Sequence, residues 1–205
     1  MIERFGAREE STMNRTLWTA ALSCLSVLAC GGNNPTGKPG TTSVPGGYET
    51  LCDQKAVTCQ TAAIPSNLKG TYSGTGSTVA TSNENWLVGD SYDFTAVITT
   101  QNGETGAGTL DLGFLHLDIK QATIRGDASQ FTIYDTDAYV DSNCSLEVRV
   151  VITGTLTTVA STTTAAGQVV LEFTTNIQGT GCTQDQINNY PGTGATFTYT
   201  ATRTP

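Results

Sequence analysis

The segment Leu146-Glu-Val-Arg-Val-Val-Ile-Thr-Gly-Thr-Leu156 decides the fold, because its side chains alternate in character along the chain. The even-numbered positions are Leu, Val, Val, Ile, Gly and Leu, whereas every odd-numbered position except Val151 is polar. Successive side chains of a β-strand point to opposite faces, so the pattern predicts a strand with one buried face. A return strand is expected at residues 169–177, where the apolar residues occupy odd-numbered positions. The Thr-rich segment 161–167 is expected to form the turn between them.

Period-two alternation also predicts the other strands of the chain. They are expected at residues 68–76, 90–100, 109–120, 130–140 and 195–203. Asn102-Gly103 predicts a hairpin turn, since these residue types tolerate the positive φ that a tight turn requires. A slip in the alternation at Gly113-Phe114 predicts either a β-bulge or a break that divides 109–120 into two strands.

These segments predict an all-β domain of about eight antiparallel strands. We favour an up-and-down β-barrel, because closure of the sheet leaves no unpaired edge strand. The segment Leu68-Lys-Gly-Thr-Tyr-Ser-Gly74 resembles the first strand of lipocalin-like barrels, with Tyr72 at the aromatic position. A two-sheet β-sandwich explains the same alternation and is the alternative, because the order of the strands cannot be read from one sequence.

Residues 1–29 are predicted to be a signal peptide. Arg15 precedes an apolar run of about 13 residues at 17–29, which is shorter than the about 20 residues that span a bilayer. Residues 1–12 are mixed in charge, so a start at Met13 is the alternative. The run ends in Val27-Leu28-Ala29-Cys30, which resembles the lipobox of bacterial lipoproteins. The resemblance implies cleavage before Cys30 and a lipid on its thiol, and through this lipid a membrane is the expected partner.

Two other interpretations of this region remain open. Cys24 is a second candidate for lipidation, and an ordinary signal peptide cleaved after Ala29 would leave Cys30 free. Residues 30–47 are rich in Gly, Pro, Ser and Thr and predict a flexible tether. The residue after the cysteine is Gly31 and not Asp, and in this respect the chain resembles lipoproteins that are sorted to the outer membrane. We therefore expect a lipid-anchored protein of the cell envelope, in the outer membrane of a Gram-negative bacterium.

The charge of the chain excludes one class of partner. The formal net charge is −8, and the few basic residues after residue 30 form no cluster. A phosphate backbone would be repelled by such a surface, so nucleic acid is not an expected partner.

Four further cysteines follow Cys30. An even number in an exported chain predicts two disulfides, for which three connectivities exist. Antiparallel pairing about Thr163 would place Cys144 opposite Cys182, which predicts Cys144–Cys182 and leaves Cys52–Cys59. Cys144 and Cys182 are both even-numbered, whereas the core residues that face each other are even-numbered on the first strand and odd-numbered on the second. One extra residue must therefore be accommodated between the Cys pair and the strand centres, which predicts a β-bulge there.

The second pair of cysteines divides the exported chain into two parts. Cys52–Cys59 would staple a short loop within residues 48–67, ahead of a β domain at 68–205. No His lies near this pair to suggest a zinc site instead.

Trp86 is the candidate binding residue, since it is the sole Trp after the signal peptide and lies in a polar segment. A Trp in such a position offers a large contact area at low entropic cost and predicts the mouth of a ligand site; packing over the core is the alternative. Asp135, Asp137 and Asp141 supply oxygen atoms that suit calcium, but no EF-hand spacing is present, so a solvated turn is the favoured interpretation and calcium the alternative.

No catalytic group is assigned. His116 and Asp118 share one face of a strand, but no nucleophile accompanies them and no Gly-x-Ser-x-Gly motif occurs. The chain is therefore not expected to be an enzyme, and no cofactor is expected.

Two functional hypotheses follow. The first is a structural or surface-interaction role of a lipid-anchored envelope protein, with Thr-rich faces presented to other surface components. The alternative is a small apolar ligand inside the barrel, where Ala96, Gly154 and Ala201 would leave room. A lumen of several hundred Å³ would support the ligand, and a filled core would support the first hypothesis.

We predict that Cys30→Ala abolishes membrane attachment. One acyl chain binds a membrane only marginally, whereas lipoprotein processing leaves two or three chains on the cysteine. The variant is expected in the soluble fraction after cell fractionation, or as a precursor that still contains residues 1–29. Cys24→Ala serves as the control and should remain membrane-bound. A processed Cys30→Ala protein that survives a carbonate wash on the membrane would place the anchor elsewhere.

Overall fold

The structure, a computed structural model, covers the β domain and the segment before it. The described residues are 48–55, 57–62, 67–84, 86–127, 129–141 and 143–204. The predicted signal peptide with its alternative start at Met13, the lipidation site Cys30 and the tether lie outside the described residues. No helix within these ranges combines the length and the apolar character needed to cross a membrane.

Within the described residues, eight antiparallel strands form a single sheet that closes into a barrel. Each strand pairs with the next strand in sequence, and the last pairs with the first. The strands are β1 (Gly70–Thr81), β2 (Ser91–Asn102), β3 (Thr105–Asp111), β4 (His116–Gly126), β5 (Gln130–Asp141), β6 (Cys144–Val159), β7 (Thr162–Gln178) and β8 (Gly194–Thr204). Two short helices accompany them: α1 (Tyr48–Gln54) precedes β1, and α2 (Gln184–Asn189) lies between β7 and β8.

The predicted all-β, up-and-down barrel is confirmed, and the sandwich alternative is wrong because one continuous sheet runs from β1 to β8. The hairpin between β2 and β3 turns at the expected place, with Gly103 at φ 58°. The slip at Gly113-Phe114 is the end of a strand, since β3 stops at Asp111 and β4 starts at His116.

The turn between β6 and β7 lies earlier than predicted. Val159 pairs with Thr162, so Ala160 and Ser161 form a two-residue turn, with Ala160 at φ 55°. The expected turn at 161–167 is wrong, because residues 162–167 are the first part of β7 and only Ser161 belongs to the turn. Thr is β-branched and favours extended backbone, and the hydroxyls of Thr158 and Thr163 meet across the strands at 3.0 Å.

The register between β6 and β7 shifts between the Cys pair and the strand centres. Leu146 pairs with Ile177, whereas Val148 pairs with Phe173. An irregularity is therefore present where one was predicted, but it shifts the register by two residues rather than one. Cys182 follows the end of β7 and is not part of the ladder.

Two pairs of cysteines lie at disulfide distance. The Cα atoms of Cys144 and Cys182 are 4.5 Å apart, and those of Cys52 and Cys59 are 6.1 Å apart. The first pair joins the start of β6 to the segment between β7 and β8. The second joins α1 to the chain that follows it.

The interior of the barrel is filled by side chains. The rings of Phe94 and Tyr199 stack with centroids 4.2 Å apart, and the cavity beside them has a volume of about 20 Å³. Gly154 leaves no free space, because a Cβ there would lie 2.5 Å from both the Phe131 ring and the Tyr199 hydroxyl. The expectation that small inward residues leave room for a ligand is wrong at this position, since neighbouring aromatic rings occupy that room.

Helix α1 covers an apolar patch on the outside of the barrel. Leu51 and Val57 are buried against Tyr134, Val151 and Val170, which point outward from β5, β6 and β7. Val151 was the one apolar exception in the alternation of β6, and this contact explains it. The expected stapled loop thus begins as a helix, whose seven residues are too few to show helical periodicity in the sequence.

The chain after α1 is bonded to the outer face of β5. The backbone N–H of Gln60 donates to the Thr132 hydroxyl at 2.8 Å, and the Tyr134 hydroxyl donates to the Gln60 carbonyl at 3.0 Å. The stapled segment is therefore packed against the barrel.

A carboxylate seam, formed by Asp135 and Asp137, joins β4 to β5 where their backbone ladder stops. Only Thr123–Gly126 of β4 pair with β5. Further along, Asp135 accepts the backbone N–H of Lys120 at 3.1 Å, and Asp137 accepts that of Asp118 at 2.7 Å. The ammonium of Lys120 lies 3.4 Å from the second oxygen of Asp137. Two buried side chains thus accept backbone donors that strand pairing leaves unused.

We predict that Asp135→Asn stabilises the protein more at pH 7 than at pH 3. Burial raises the pKa of the Asp135 carboxyl, and the nearby Asp137 charge adds to this, whereas backbone donors oppose it. A raised folded-state pKa contributes stability at low pH that is lost as the pH rises through it. The Asn amide does not titrate, and its oxygen can still accept the backbone N–H of Lys120. The difference in the free energy of unfolding between Asp135→Asn and wild type should therefore rise with pH.

Urea unfolding at the two pH values measures this difference. Asp93→Asn, at an exposed position of β2, is the control for the loss of one carboxylate. A difference between Asp135→Asn and wild type that is constant or falls with rising pH would contradict the assignment.

Candidate functional site

An aromatic pocket of about 380 Å³ lies at one mouth of the barrel. The β1–β2, β3–β4 and β7–β8 connections meet at this mouth, because antiparallel strands bring every second connection to the same end. Its lining consists of Thr78, Trp86, Asp90, Ser91, Tyr92, Phe114, Leu115, Tyr139, Phe173 and Tyr190. The residue predicted to mark a ligand mouth, Trp86, is thus one of six aromatic residues around it.

The β1–β2 loop holds Trp86 through its own turns. The backbone N–H of Trp86 donates to the Asn83 carbonyl at 3.3 Å. Asn83 is buried, and its side-chain amide donates to the Thr193 hydroxyl at 3.1 Å. The β1–β2 loop is therefore hydrogen-bonded to Thr193, in the segment just before β8.

The indole of Trp86 packs across the top of the filled interior. Its ring centroid lies 5.7 Å from those of Phe114 and Phe197 and 5.8 Å from that of Phe173. These separations are typical of favourable aromatic pairs. Trp86 packs against the core, as one interpretation of the sequence expected, and it also lines the pocket, whereas ligand binding there stays a prediction.

Neighbouring rings of the pocket stand nearly perpendicular. Phe173 meets Tyr190 at 87° with centroids 4.9 Å apart, and Tyr139 at 78° with centroids 6.2 Å apart. Tyr92 meets Phe114 at 84°. The rings thus form the walls and corners of a box rather than one flat platform.

Hydrogen bonds fix two of these walls. The Tyr92 hydroxyl donates to the Thr198 carbonyl at 3.0 Å, and burial raises the pKa of this phenol, so it remains a donor at neutral pH. The Tyr190 carbonyl accepts the Thr193 hydroxyl at 2.7 Å. A backbone bond of 2.8 Å from Gly192 to Phe173 joins the Tyr190 segment to β7.

The segment that carries Tyr190 is also braced at its beginning. Cys182 lies at disulfide distance from Cys144, and Thr183 caps α2 with a capping box to Gln186. The capping box satisfies donors at the start of a helix too short to be stable alone. The sequence contains this signal, but its connection to Trp86 depends on the strand order.

The rim of the pocket is apolar and exposed to solvent. Phe114, Leu87 and Val88 are 46%, 63% and 66% exposed. Large apolar side chains that cluster at a surface mark sites of interaction. Sequence reasoning missed Phe114, although the slip of alternation at Gly113-Phe114 could have indicated an aromatic residue in a loop.

The other residues proposed from the sequence lie elsewhere. His116 is exposed between the carboxylates of Asp111 at 3.4 Å and Asp118 at 3.7 Å, where β3 ends and β4 begins. Asp135 and Asp137 belong to the carboxylate seam, and the side chain of Asp141 lies outside the described part. Among the described residues, no three His, Cys, Asp or Glu side chains are placed to hold a metal ion.

Comparisons with known protein families, with curated proteins and with solved structures find no match to this chain. The pocket is therefore interpreted from its own residues and geometry.

We predict that Trp86→Ala lowers the free energy of unfolding by about 2 kcal/mol, because it removes a half-buried indole from three aromatic contacts. Leu87→Ala, at the adjacent exposed position, is the control and should change it by less than about 0.5 kcal/mol. Urea unfolding followed by far-ultraviolet circular dichroism measures both without a Trp signal. Equal effects of the two substitutions would contradict the packing of Trp86 in the pocket wall.

Proposed function

We propose that this chain is a lipid-anchored protein of the bacterial cell envelope whose barrel makes surface interactions through the aromatic pocket. Residues 1–29 would direct export, and lipid on Cys30 would hold the domain at the membrane through the tether at 30–47. The lipobox Val27-Leu28-Ala29-Cys30 supports this location, and Gly31 supports sorting to the outer membrane of a Gram-negative cell.

The distribution of free volume carries the proposal. The interior beside Phe94 and Tyr199 retains about 20 Å³, whereas the mouth beside Trp86 holds about 380 Å³. Pockets that bind small molecules or partner side chains typically measure about 300–1,000 Å³. The mouth therefore has room for a binding partner, whereas the small interior volume does not favour an apolar ligand inside the barrel, the second hypothesis from the sequence.

The composition of the pocket and its rim supports an interaction site. Trp and Tyr contribute most of the binding energy at many interfaces, because they bury a large area with few rotatable bonds. Leu87 and Val88 on the exposed loop would add apolar contact around the pocket. A domain held close to a membrane by a tether would present such a site to other components of the envelope.

A neutral fluorescent dye tests the location of binding. The Cys30→Ala chain, which lacks the lipid, is titrated with N-phenyl-1-naphthylamine, and we expect saturation at one dye per chain. Trp86→Ala should weaken binding by about tenfold, because it removes the central ring of the pocket. Ile152→Val, which removes one methylene beside the interior cavity, is the control and should leave the affinity unchanged.

The opposite pattern would support the interior ligand. Binding that responds to Ile152→Val and not to Trp86→Ala would overturn the proposal. No saturable binding to a folded chain at micromolar concentration would also count against the pocket as a binding site.

A further inference from the structure

We infer that the aromatic pocket accepts a compact organic cation of the quaternary ammonium class. This inference rests on the proposed function of the pocket and adds the chemistry of its occupant. It depends on three observations: the arrangement of the rings, the sign of the charges around them, and the lack of basic residues at the mouth.

The rings offer several π faces within reach of one group. A cation is attracted to the face of an aromatic ring when it lies within about 6 Å of the centroid. The rings of Trp86, Phe114, Tyr139 and Tyr190 line the pocket together and are partly exposed, so its corners are bordered by more than one accessible ring. A compact group in such a corner is therefore within reach of more than one ring. A flat sugar ring would instead need a single exposed platform.

The connections at the mouth carry negative charge. Residues 82–90, 112–115, 142–143 and 179–193 contain Glu84, Asp90 and Asp185 but no Lys, Arg or His. Asp90 lines the pocket itself, and Glu84 accepts the side-chain amide of Asn189 at 3.2 Å. Asp185 accepts the same amide, so the β1–β2 loop and α2 bring two carboxylates together at Asn189, the residue before Tyr190 of the pocket wall.

These charges select against anions and for cations. The chain has a net charge of −8, and the lining of the pocket includes Asp90 without a basic residue to neutralise it. A carboxylate next to aromatic faces in a partly dehydrated pocket favours positive charge more strongly than it would in water.

A quaternary ammonium suits this pocket better than a primary amine. A primary ammonium has three N–H donors that lose water on entry and then need acceptors. A quaternary group has no such donors, and its methyl groups would meet the partly exposed rings of Trp86, Phe114 and Tyr139 that line the pocket. Its positive charge needs only the ring faces and the carboxylate of Asp90 nearby.

The test compares choline with its neutral isostere 3,3-dimethylbutan-1-ol by isothermal titration calorimetry on the full chain. Both probes have the same shape, and only choline has a charge. We expect choline to bind with one site per chain, at least about tenfold more tightly than the isostere. Raising the salt concentration should weaken choline binding and leave the isostere unchanged.

Two substitutions locate the effect. Asp90→Asn should weaken choline binding about threefold to tenfold without changing the isostere, since Asp90 is exposed and its loss is not expected to unfold the chain. Asp93→Asn is the matched control, because it removes an exposed carboxylate of the neighbouring β2 that does not line the pocket. Tyr139→Leu is a second pocket variant and should weaken choline more than the isostere.

The outcomes separate this inference from the proposed function. Equal affinity for choline and its isostere would overturn the inference that the pocket prefers a cation. The same holds if choline does not bind while N-phenyl-1-naphthylamine still binds in a Trp86-dependent way. Either result would leave the pocket as a site for neutral apolar groups. Failure of all three probes on a folded chain would overturn both. Equal effects of Asp90→Asn and Asp93→Asn would show that only the net charge of the protein matters.

Discussion

Closure of the sheet between β1 and β8 is the constraint on which the rest of the structure depends. An eight-stranded ring has an interior just wide enough for its own side chains. Phe94, Phe131 and Tyr199 fill it, and Gly154 is required where two of these rings meet the wall. Because these side chains leave only about 20 Å³ inside, the volume of about 380 Å³ beside Trp86 lies outside the filled ring, at the connections of its mouth.

The barrel could be predicted because each strand has one apolar face. Alternation identified seven segments, of which 109–120 contains β3 and β4 with the break left open as a bulge, and removal of edge strands favoured closure. The ends of the strands were harder to predict, because the Thr-rich segment 161–167 fits a turn or a strand equally well until the partner strand is known. The apolar exception Val151 was visible in the sequence, but its meaning required α1, a helix too short for its pattern to be recognised.

The site was only partly predictable for a similar reason. Trp86 could be singled out by its rarity and its polar neighbours, whereas Phe114, Tyr139 and Tyr190 belong to distant parts of the chain. They meet Trp86 because the strand order brings their connections to one mouth. Asp135 and Asp137 illustrate the reverse case: a cluster of carboxylates suggested a cation, yet their oxygens accept backbone donors where two strands separate.

The Cys144–Cys182 pair connects the stability of the barrel to its site. β6 and β7 lose their regular register between Leu146 and Val148, near the mouth, and the chain beyond β7 has no strand partner until β8. The cysteine pair fixes this segment where the ladder ends, and the capping box of α2 with the hydrogen bond from Thr193 to the Tyr190 carbonyl continues the bracing. The wall that carries Tyr190 is therefore held by the cysteine pair and by polar contacts rather than by sheet pairing, and Tyr190 lines the pocket from this wall.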